Sequence, residues 1–413
     1  MEVFTKVYDN GLKLVIKKMD GFLSVAHGIM VGAGSRNETE QTNGISHFLE
    51  HMLFKGTNTR TALQVSADIE RIGASINGAT SKESTIYYTV STYEHQQEAF
   101  EILSDIFLNS NFPEKEIEKE RGVIIEEINM SEDDPADVCY ELLCSAYHDG
   151  VDYGRSILGP LENIKRFTRD DLIEYRNKNY TPNNIVISVT GAVDVDKTVE
   201  FVDKHFGVLV GKFDGTVPAQ NAPITKKSVA KSKEIEQVHI AVSLQGFEYG
   251  NADTDALSVA TIVFGDGMSS RLFQKVREEL GLCYSIYAMP TAYKDRGRID
   301  IFAGVNPQKK DDAFNAIVAE IDKMKDGITE DEFVIGKEQL KSCFILSQEN
   351  VGSQMRILAR QFMDLNKTLD AKERVDAVNK LTIDDVNAVI KKVFNSENIV
   401  VATVGKGVEP FKI

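Results

Sequence analysis

Segments rich in β-branched and aromatic residues alternate along this chain with segments whose apolar residues recur at helical spacing. The first kind is bounded by Gly, Asn or Asp and predicts strands at Gly11–Lys18, Leu23–Gly32 and Thr85–Ser91. The second kind predicts helices at Gly44–Phe54, Ala62–Ile72, Glu94–Leu108 and Glu114–Asn129. This mixture of elements favours an α+β fold.

An internal repeat organises the chain on a larger scale. Residues 168–191 align without gaps with residues 382–405, at an offset of 214, and eight aligned pairs are identical. Each copy has an N-cap threonine, an amphipathic helix, a turn and a strand that ends in glycine. Two copies are too few for a solenoid, so the repeat predicts two homologous domains of about 200 residues.

The segment Lys212–Lys233 shows the least sign of regular structure, because Pro218 and Pro223 lie there among Gly, Asn, Gln and Lys. We therefore predict a first domain at 1–212, a linker at 213–232 and a second domain at 233–413.

The charge composition argues against one class of binding partner. Asp and Glu number 63 against 47 Lys and Arg, a net charge of −16, which argues against nucleic acid because polyphosphate binding needs a basic surface. The acidity suits basic or peptide-like substrates, and it equally suits an ordinary solvated surface.

Neither a targeting segment nor a membrane span is evident. Charges interrupt the apolar runs at the amino terminus, and no stretch approaches the roughly 18 apolar residues of a membrane helix. The four cysteines form no Cys-x-x-Cys pair. We expect a cytoplasmic protein with reduced thiols and no membrane partner.

Three residues of the helix after Gly44 carry candidate chemistry. At 100° per residue, His47 and His51 lie one turn apart on one face, and Glu50 falls in the same sector. Two such imidazoles can bind one zinc ion while the carboxylate reaches the metal-bound water, the inverted order of the His-Glu-x-x-His motif. The alternative is a pair of surface histidines on an ordinary helix.

A third ligand must come from elsewhere in the sequence. Glu120 and Glu127 lie seven residues and two turns apart on one predicted helix face. Glu127 is flanked by Ile124 and Ile128, so a charge there needs a partner, which a metal would supply. The alternative is a solvated acidic face.

Together these residues resemble the pitrilysin-type inverted-motif zinc peptidases, and most closely the mitochondrial processing peptidase β-like branch and its bacterial relatives. The resemblance covers nearly the whole chain. Its motifs are HFLEHMLFKGT at 47–57, INGATSKESTIYY at 76–88, ERGVIIEEI at 120–128, GRSILGPLENI at 154–164 and SSRLFQKVREELGLCYS at 269–285.

The resemblance assigns the central roles. It implies that one zinc ion per chain is bound by His47, His51 and Glu127. It further implies that Glu50 is the general base and that Glu120 supports the metal site without binding the ion.

Other positions carry over from the same resemblance. Asn77 matches an edge strand that pairs with the substrate backbone, although this chain has Gly78 where relatives commonly have Ala. Phe54 matches the wall of the pocket just past the cut, or is simply a core aromatic. Arg277 and Tyr284 match a second-domain pair that contacts substrate and supports the tetrahedral intermediate.

Two acidic residues bear on specificity. Asp137 and Glu141 match positions that receive a substrate arginine in the mitochondrial branch, which predicts a basic residue two positions before the cut. Ordinary surface acids are the alternative reading of this pair.

The second copy has no ligand set. At the offset of 214, the three motif residues correspond to Thr261, Phe264 and Gly265. A slightly shifted alignment sets the two glutamates against Gly336 and Cys343. The second domain is therefore predicted to be a scaffold half that contributes the Arg/Tyr pair.

The sequence thus predicts a zinc-dependent endopeptidase in which two homologous domains, each a mixed and mostly antiparallel sheet with helices, form a clamshell around unfolded or short peptides. Bacterial relatives imply a homodimer. The alternatives are a non-catalytic scaffold subunit and a peptide-binding chamber of the same fold.

Overall fold

The computed structural model describes residues 3–215 and 224–413. The chain forms two compact units, each assembled from separate stretches of sequence. Among the described residues, the first unit comprises 3–128, 155–215 and 347–369, and the second comprises 129–154, 224–346 and 370–413.

The strands in the described part of the chain are short and regular. They are β1 (Val3–Val7), β2 (Lys13–Lys18), β3 (Ser24–Val31), β4 (Ser75–Thr80), β5 (Thr85–Thr92), β6 (Ile185–Gly191), β7 (Lys227–Ser232), β8 (Val238–Gly246), β9 (Cys283–Ala292), β10 (Gly297–Val305) and β11 (Val400–Gly405).

The α-helices follow the predicted pattern in the first half and repeat it in the second. They are α1 (Ile45–Leu53), α2 (Ala62–Arg71), α3 (Gln96–Asn109), α4 (Glu114–Asp133), α5 (Pro135–Tyr147), α6 (Leu161–Arg166), α7 (Arg169–Asn179), α8 (Val195–His205), α9 (Thr254–Gly265), α10 (Lys310–Met324), α11 (Glu330–Ser347), α12 (Val351–Leu365), α13 (Ala371–Lys380) and α14 (Ile383–Val393). The predicted strands and helices are thereby confirmed to within a few residues at each end.

Each unit contains one mixed, mostly antiparallel sheet, as predicted. The first has the order β1-β2-β6-β3-β5-β4, and the second has the order β7-β11-β8-β10-β9. One neighbouring pair in each sheet is parallel, β2 with β6 and β7 with β11, and the other pairs are antiparallel.

The two sheets confirm the duplication. The bounds of β2 shifted by 214 are those of β7, and β3 shifted by 214 starts where β8 starts. The strand order is also shared, apart from the additional β1 of the first sheet. The α+β class and the two homologous halves are therefore as expected.

Two helices join the unit formed mainly by the other half of the sequence. Helix α12 belongs to the first unit and packs against β2, β3 and β6. Helix α5 belongs to the second unit and packs against β7, β8 and β11. The domain limits predicted from the repeat, 1–212 and 233–413, therefore stay a prediction.

The expectation that residues 212–233 lack regular structure is wrong for their last part. Strand β7 lies there and pairs in parallel with β11, so its backbone groups join the sheet despite the Lys and Ser side chains. Residues 216–223 of the predicted linker, with both prolines, lie outside the described residues.

Over the ranges 3–215 and 224–413, no helix is both long enough and apolar enough to cross a bilayer. No disulfide joins the four cysteines, all of which lie in the described ranges.

Candidate metal centre

Helix α1 begins at a tightly fixed turn. Gly44 has a φ of 99°, a left-handed conformation that glycine adopts without strain. The buried Glu38 carboxylate accepts hydrogen bonds from the backbone N–H groups of Gly44 and Ser46, both at 2.8 Å. It also accepts one from the Asn43 amide at 2.8 Å. Glu38 thus satisfies donors at the helix N-terminus that no side chain of α1 reaches.

The apolar face of α1 holds the helix in the core. Phe48, Leu49, Met52 and Leu53 are fully buried. The opposite face therefore presents the polar residues in a fixed orientation, as the helical period requires.

The structure brings the three predicted ligands together. The Nε2 atoms of His47 and His51 lie 3.7 Å and 3.5 Å from Oε2 of Glu127, which α4 supplies. Ligand atoms of the three residues all lie within 4.8 Å of one another. In the described part of the chain this is the one group of His, Cys, Asp or Glu side chains with metal-binding spacing.

The donor set fits zinc. Zinc–nitrogen and zinc–oxygen bonds of about 2.0–2.2 Å in a tetrahedron place neighbouring ligand atoms about 3.4 Å apart, close to the two distances above. Two imidazoles and a carboxylate are also the ligand types of catalytic zinc sites that keep one position open.

A second carboxylate lies behind the ligands. Glu120, only 5% exposed, is 3.1 Å from Nδ1 of His51 through Oε2. Its other oxygen lies 2.8 Å from the Lys55 ammonium group. His47 has no such support, because its buried Nδ1 has no hydrogen-bond partner among the described residues.

The two histidines differ in proton affinity. Burial, aided by the nearby His51, lowers the pKa of His47 to about 4. Burial also acts to lower the pKa of His51, but the hydrogen bond with Glu120 and the charges of Glu127 and Glu50 raise the pKa above its usual value. The His47 ring is thus neutral near pH 7, whereas a proton on His51 competes with a metal ion.

Glu50 is aimed at the same region by strand β4. The Thr80 hydroxyl donates to Oε2 of Glu50 at 2.8 Å. A Cβ atom at Gly78 would lie 2.7 Å from the other carboxylate oxygen, so the glycine leaves room for Glu50. Burial raises the pKa of Glu50, partly offset by Thr80, which suits a group that takes up a proton.

The first unit also contains the predicted substrate positions Asn77 and Phe54. Asn77 lies on β4, which forms the edge of the first sheet, and its side-chain oxygen accepts from the N–H of Gly78 at 2.8 Å. Phe54 follows the end of α1 and packs, half-buried, against Tyr87 with ring centroids 6.1 Å apart. Their roles toward substrate stay predictions.

The second unit brings Arg277 and Tyr284 together. Arg277 lies in a π-helical segment, Phe273–Glu279, and its guanidinium carbon is 4.4 Å from the centre of the Phe273 ring. The same carbon is 5.3 Å from the centre of the Tyr284 ring, which is 79% exposed. The two side chains therefore lie beside each other, and their predicted contact with substrate and their catalytic role stay predictions.

Asp137 and Glu141 lie one turn apart on α5 in the second unit. Asp137 is in the first turn, where the Asp134 side chain caps the helix by accepting from the Ala136 N–H at 2.8 Å. The predicted contact with a substrate arginine stays a prediction.

Sequence reasoning did not identify Glu38, Lys55 or Thr80 as parts of the site. Lys55 and Thr80 lie inside the motif blocks that carry the resemblance, so their position was a usable signal. Glu38 lies outside those blocks, and its contact with α1 depends on a turn that the sequence pattern does not specify.

Comparisons with known proteins identify the family and its named relatives. The family described as insulinase, peptidase family M16, matches residues 15–161, and the peptidase M16 inactive domain matches residues 166–340. An uncharacterized zinc protease YmxG of Bacillus subtilis is 37% identical over 94% of this chain and 95% of its own length. An uncharacterized zinc protease of Rickettsia felis is 35% identical over 94% of each chain.

Solved structures show the same fold. A crystal structure of a peptidase M16 inactive domain from Pseudomonas fluorescens has a TM-score of 0.92 over all of both chains, at 17% identity. A protease from Helicobacter pylori has a TM-score of 0.88 over 98% of this chain and 99% of that one, at 23% identity.

Proposed function

The chain belongs to peptidase family M16, and from this membership and the geometry around α1 we propose that it is a zinc-dependent endopeptidase. The observation that carries the proposal is the convergence of His47, His51 and Glu127 on one point beside the Glu50 carboxylate. The narrower placement in the mitochondrial processing peptidase β-like branch is part of the proposal.

His47, His51 and Glu127 would hold the metal. When bound, zinc would supply a water ligand whose pKa is lowered to about 7 and would polarise a peptide carbonyl. Glu50 would accept the proton of the attacking water and return it to the leaving amine, and burial raises its pKa in the direction that favours proton uptake. Thr80 keeps one Glu50 oxygen occupied, which leaves the other oxygen to act as the base.

Substrates are proposed to be unfolded or short peptides. Strand β4 has a partner on one side only within the first sheet, so an extended peptide can add to its other side by backbone hydrogen bonds. In a folded protein most extended segments are already paired within a sheet, so unfolded or short peptides are the better partners for β4. Arg277 and Tyr284 are proposed to support the negative charge on the scissile carbonyl oxygen.

A preference for a basic residue two positions before the cut is proposed from Asp137 and Glu141. Replacement of both by their amides should abolish the preference and leave the cleavage of other peptides unchanged. Homodimer formation and a cytoplasmic location are also proposed, and the mass of the particle in solution tests the first of these.

The decisive experiment is digestion of a peptide library by the full-length protein, with and without chelator, and identification of cut sites by mass spectrometry. We expect chelator-sensitive cleavage, one zinc ion per chain, and loss of turnover by about 10²–10⁴-fold in Glu50→Gln with zinc retained. Cleavage by Glu50→Gln at the wild-type rate would overturn the role of Glu50. Tight peptide binding without cleavage would instead identify a peptide-binding chamber, and the lack of bound zinc a scaffold.

A further inference from the structure

Lys55 is the first residue after the C-cap of α1 and contacts the carboxylate that supports a metal ligand. Its ammonium nitrogen lies 2.8 Å from Oε1 of Glu120, and Oε2 of Glu120 lies 3.1 Å from Nδ1 of His51. One carboxylate therefore joins a lysine to the histidine, and each of its oxygens has its own partner.

The backbone around Lys55 is fixed to the rest of the first unit. The Lys55 N–H donates to the carbonyl of Met52 at 3.2 Å. Thr57, two residues later, donates through its hydroxyl to Asp105 on α3 at 2.8 Å. The lysine stem thus starts from a defined point, which lets its ammonium group hold a definite place beside Glu120.

Glu120 needs that partner. A buried carboxylate is costly unless charges or donors compensate it, and its side chain is 7% exposed against 29% for Lys55. A neutral imidazole donates one hydrogen bond from Nδ1, which leaves the second oxygen to Lys55. Without the lysine, the carboxylate would be free to turn toward another donor.

We propose that Lys55 is a positioning residue for the metal centre. It fixes the rotation of the Glu120 carboxylate, and Glu120 then fixes the tautomer and ring orientation of His51, so that Nε2 points toward Glu127 and the metal. This inference rests on the proposed metal site, and it does not depend on what the enzyme cleaves.

The chain offers a matched control. Lys119 lies on α4, one residue from Glu120, and pairs with Glu116 at 2.6 Å. Its side chain is 56% exposed, and both Lys55 and Lys119 line one open groove of about 670 Å³. Loss of either lysine removes one positive charge from the same groove, but only Lys55 contacts Glu120.

The test measures zinc affinity of the full-length, metal-stripped protein by competition with a chromophoric chelator. Lys55→Met should weaken zinc binding about 10–100-fold, the effect of losing a group that orients a ligand. Lys55→Arg should recover most of the affinity, and Lys119→Met should stay within twofold of wild type. The visible absorption of the cobalt-substituted protein should change in Lys55→Met alone.

A double-mutant cycle keeps the proposal open to refutation even if Lys55→Met lowers stability. In the Glu120→Gln background, Lys55→Met should have little further effect on zinc affinity, since the carboxylate through which it acts is gone. A full effect of Lys55→Met in that background, or none in the wild-type background, would overturn the proposal. Absence of peptide cleavage with normal zinc binding would count against the proposed function and leave this inference intact.

Discussion

Helix α1 of the first unit and helix α9 of the second occupy the same position in the repeat, and they use it differently. In α1 the polar residues of the motif face the candidate metal centre. In α9 the corresponding Phe264 is fully buried and packs edge-on against Phe394, with centroids 5.0 Å apart. Thr261 turns its hydroxyl back to the Leu257 carbonyl at 2.9 Å.

The difference shows that the fold does not need the metal-binding residues. The second sheet has the same strand order as the first apart from β1, and α9 contributes Val259, Val263 and Phe264 to its apolar core. The first unit instead has the half-buried Glu50 carboxylate at the position where its counterpart Phe264 packs in the core. The same helix position therefore serves the candidate metal centre in the first copy and the stability of the core in the second.

The sharpest test of this contrast is Phe264→Ala. Loss of a buried aromatic side chain should lower the free energy of unfolding by about 3–5 kcal/mol. Zinc affinity of the folded protein should be unchanged, since Phe264 is in the second unit. Denaturant unfolding and a zinc titration at low denaturant measure the two effects, and a loss of zinc binding by the folded variant would contradict the division of roles.

His51→Ala is the converse change. Zinc in protein sites is held by about 10–16 kcal/mol shared among its ligands, so the loss of one ligand should weaken binding about 10²–10³-fold. The unfolding free energy of the metal-free protein should change little by comparison with Phe264→Ala. If the metal-free His51→Ala variant instead loses as much unfolding free energy as Phe264→Ala, His51 is a structural residue.

The N-termini of the two helices provide a third comparison. Glu38→Ala leaves the N–H groups of Gly44 and Ser46 without acceptors and should cost about 1–3 kcal/mol of stability. Asp253 is the N-cap of α9 but makes no side-chain hydrogen bond to the helix. Asp253→Ala should therefore cost about 0.5 kcal/mol or less, and equal losses in thermal unfolding would refute the special role of Glu38.

The first unit should also couple metal binding to pH. As the pH falls through the raised pKa of His51, a proton competes with zinc, and affinity should drop about tenfold per pH unit. A second proton enters only below about pH 4, where His47 titrates. Zinc titrations between pH 4 and 8 give the slope, and two protons displaced near pH 6 would show that the histidines titrate together.

The smallest expected effect concerns two glycines separated by the same offset of 214. A Cβ atom at Gly122 on α4 meets nothing within 4 Å, so Gly122→Ala should stabilise the protein by about 0.5–1 kcal/mol. A Cβ atom at Gly336 on α11 would lie 3.1 Å from Val259 and Val263 on α9. Gly336→Ala should therefore lower stability by about 1 kcal/mol, and a gain there would show looser helix packing than described.

Many of the secondary-structure elements and the candidate ligands could be predicted from local sequence patterns. Strands β2, β3 and β5 and helices α1 to α4 follow from residue type and spacing, and the gapless match of 168–191 to 382–405 predicts the duplication. The candidate ligands were also available, because His47, Glu50 and His51 share a helix face by periodicity alone. The fixed spacing within one helix is what makes such a prediction possible.

Other features depend on contacts between distant segments. Strand β7 exists because β11, more than 160 residues later, offers backbone partners, and its own side chains give no such sign. Helix α5 lies in the first half of the sequence but packs against the second sheet, and α12 lies in the second half but packs against the first sheet. The local sequence pattern predicts neither the pairing of β7 nor the sheet against which α5 and α12 pack.

The sequence by itself therefore determined the duplicated α+β architecture and the candidate zinc ligands and base of helix α1. Only the tertiary structure decided which groups surround that helix: Glu38 at its start, Thr80 on Glu50, and Lys55 on the carboxylate behind His51. The physical reason is that helical periodicity fixes the directions of side chains within one helix. The distance between side chains on different elements, such as Lys55 and Glu120, depends instead on how those elements pack.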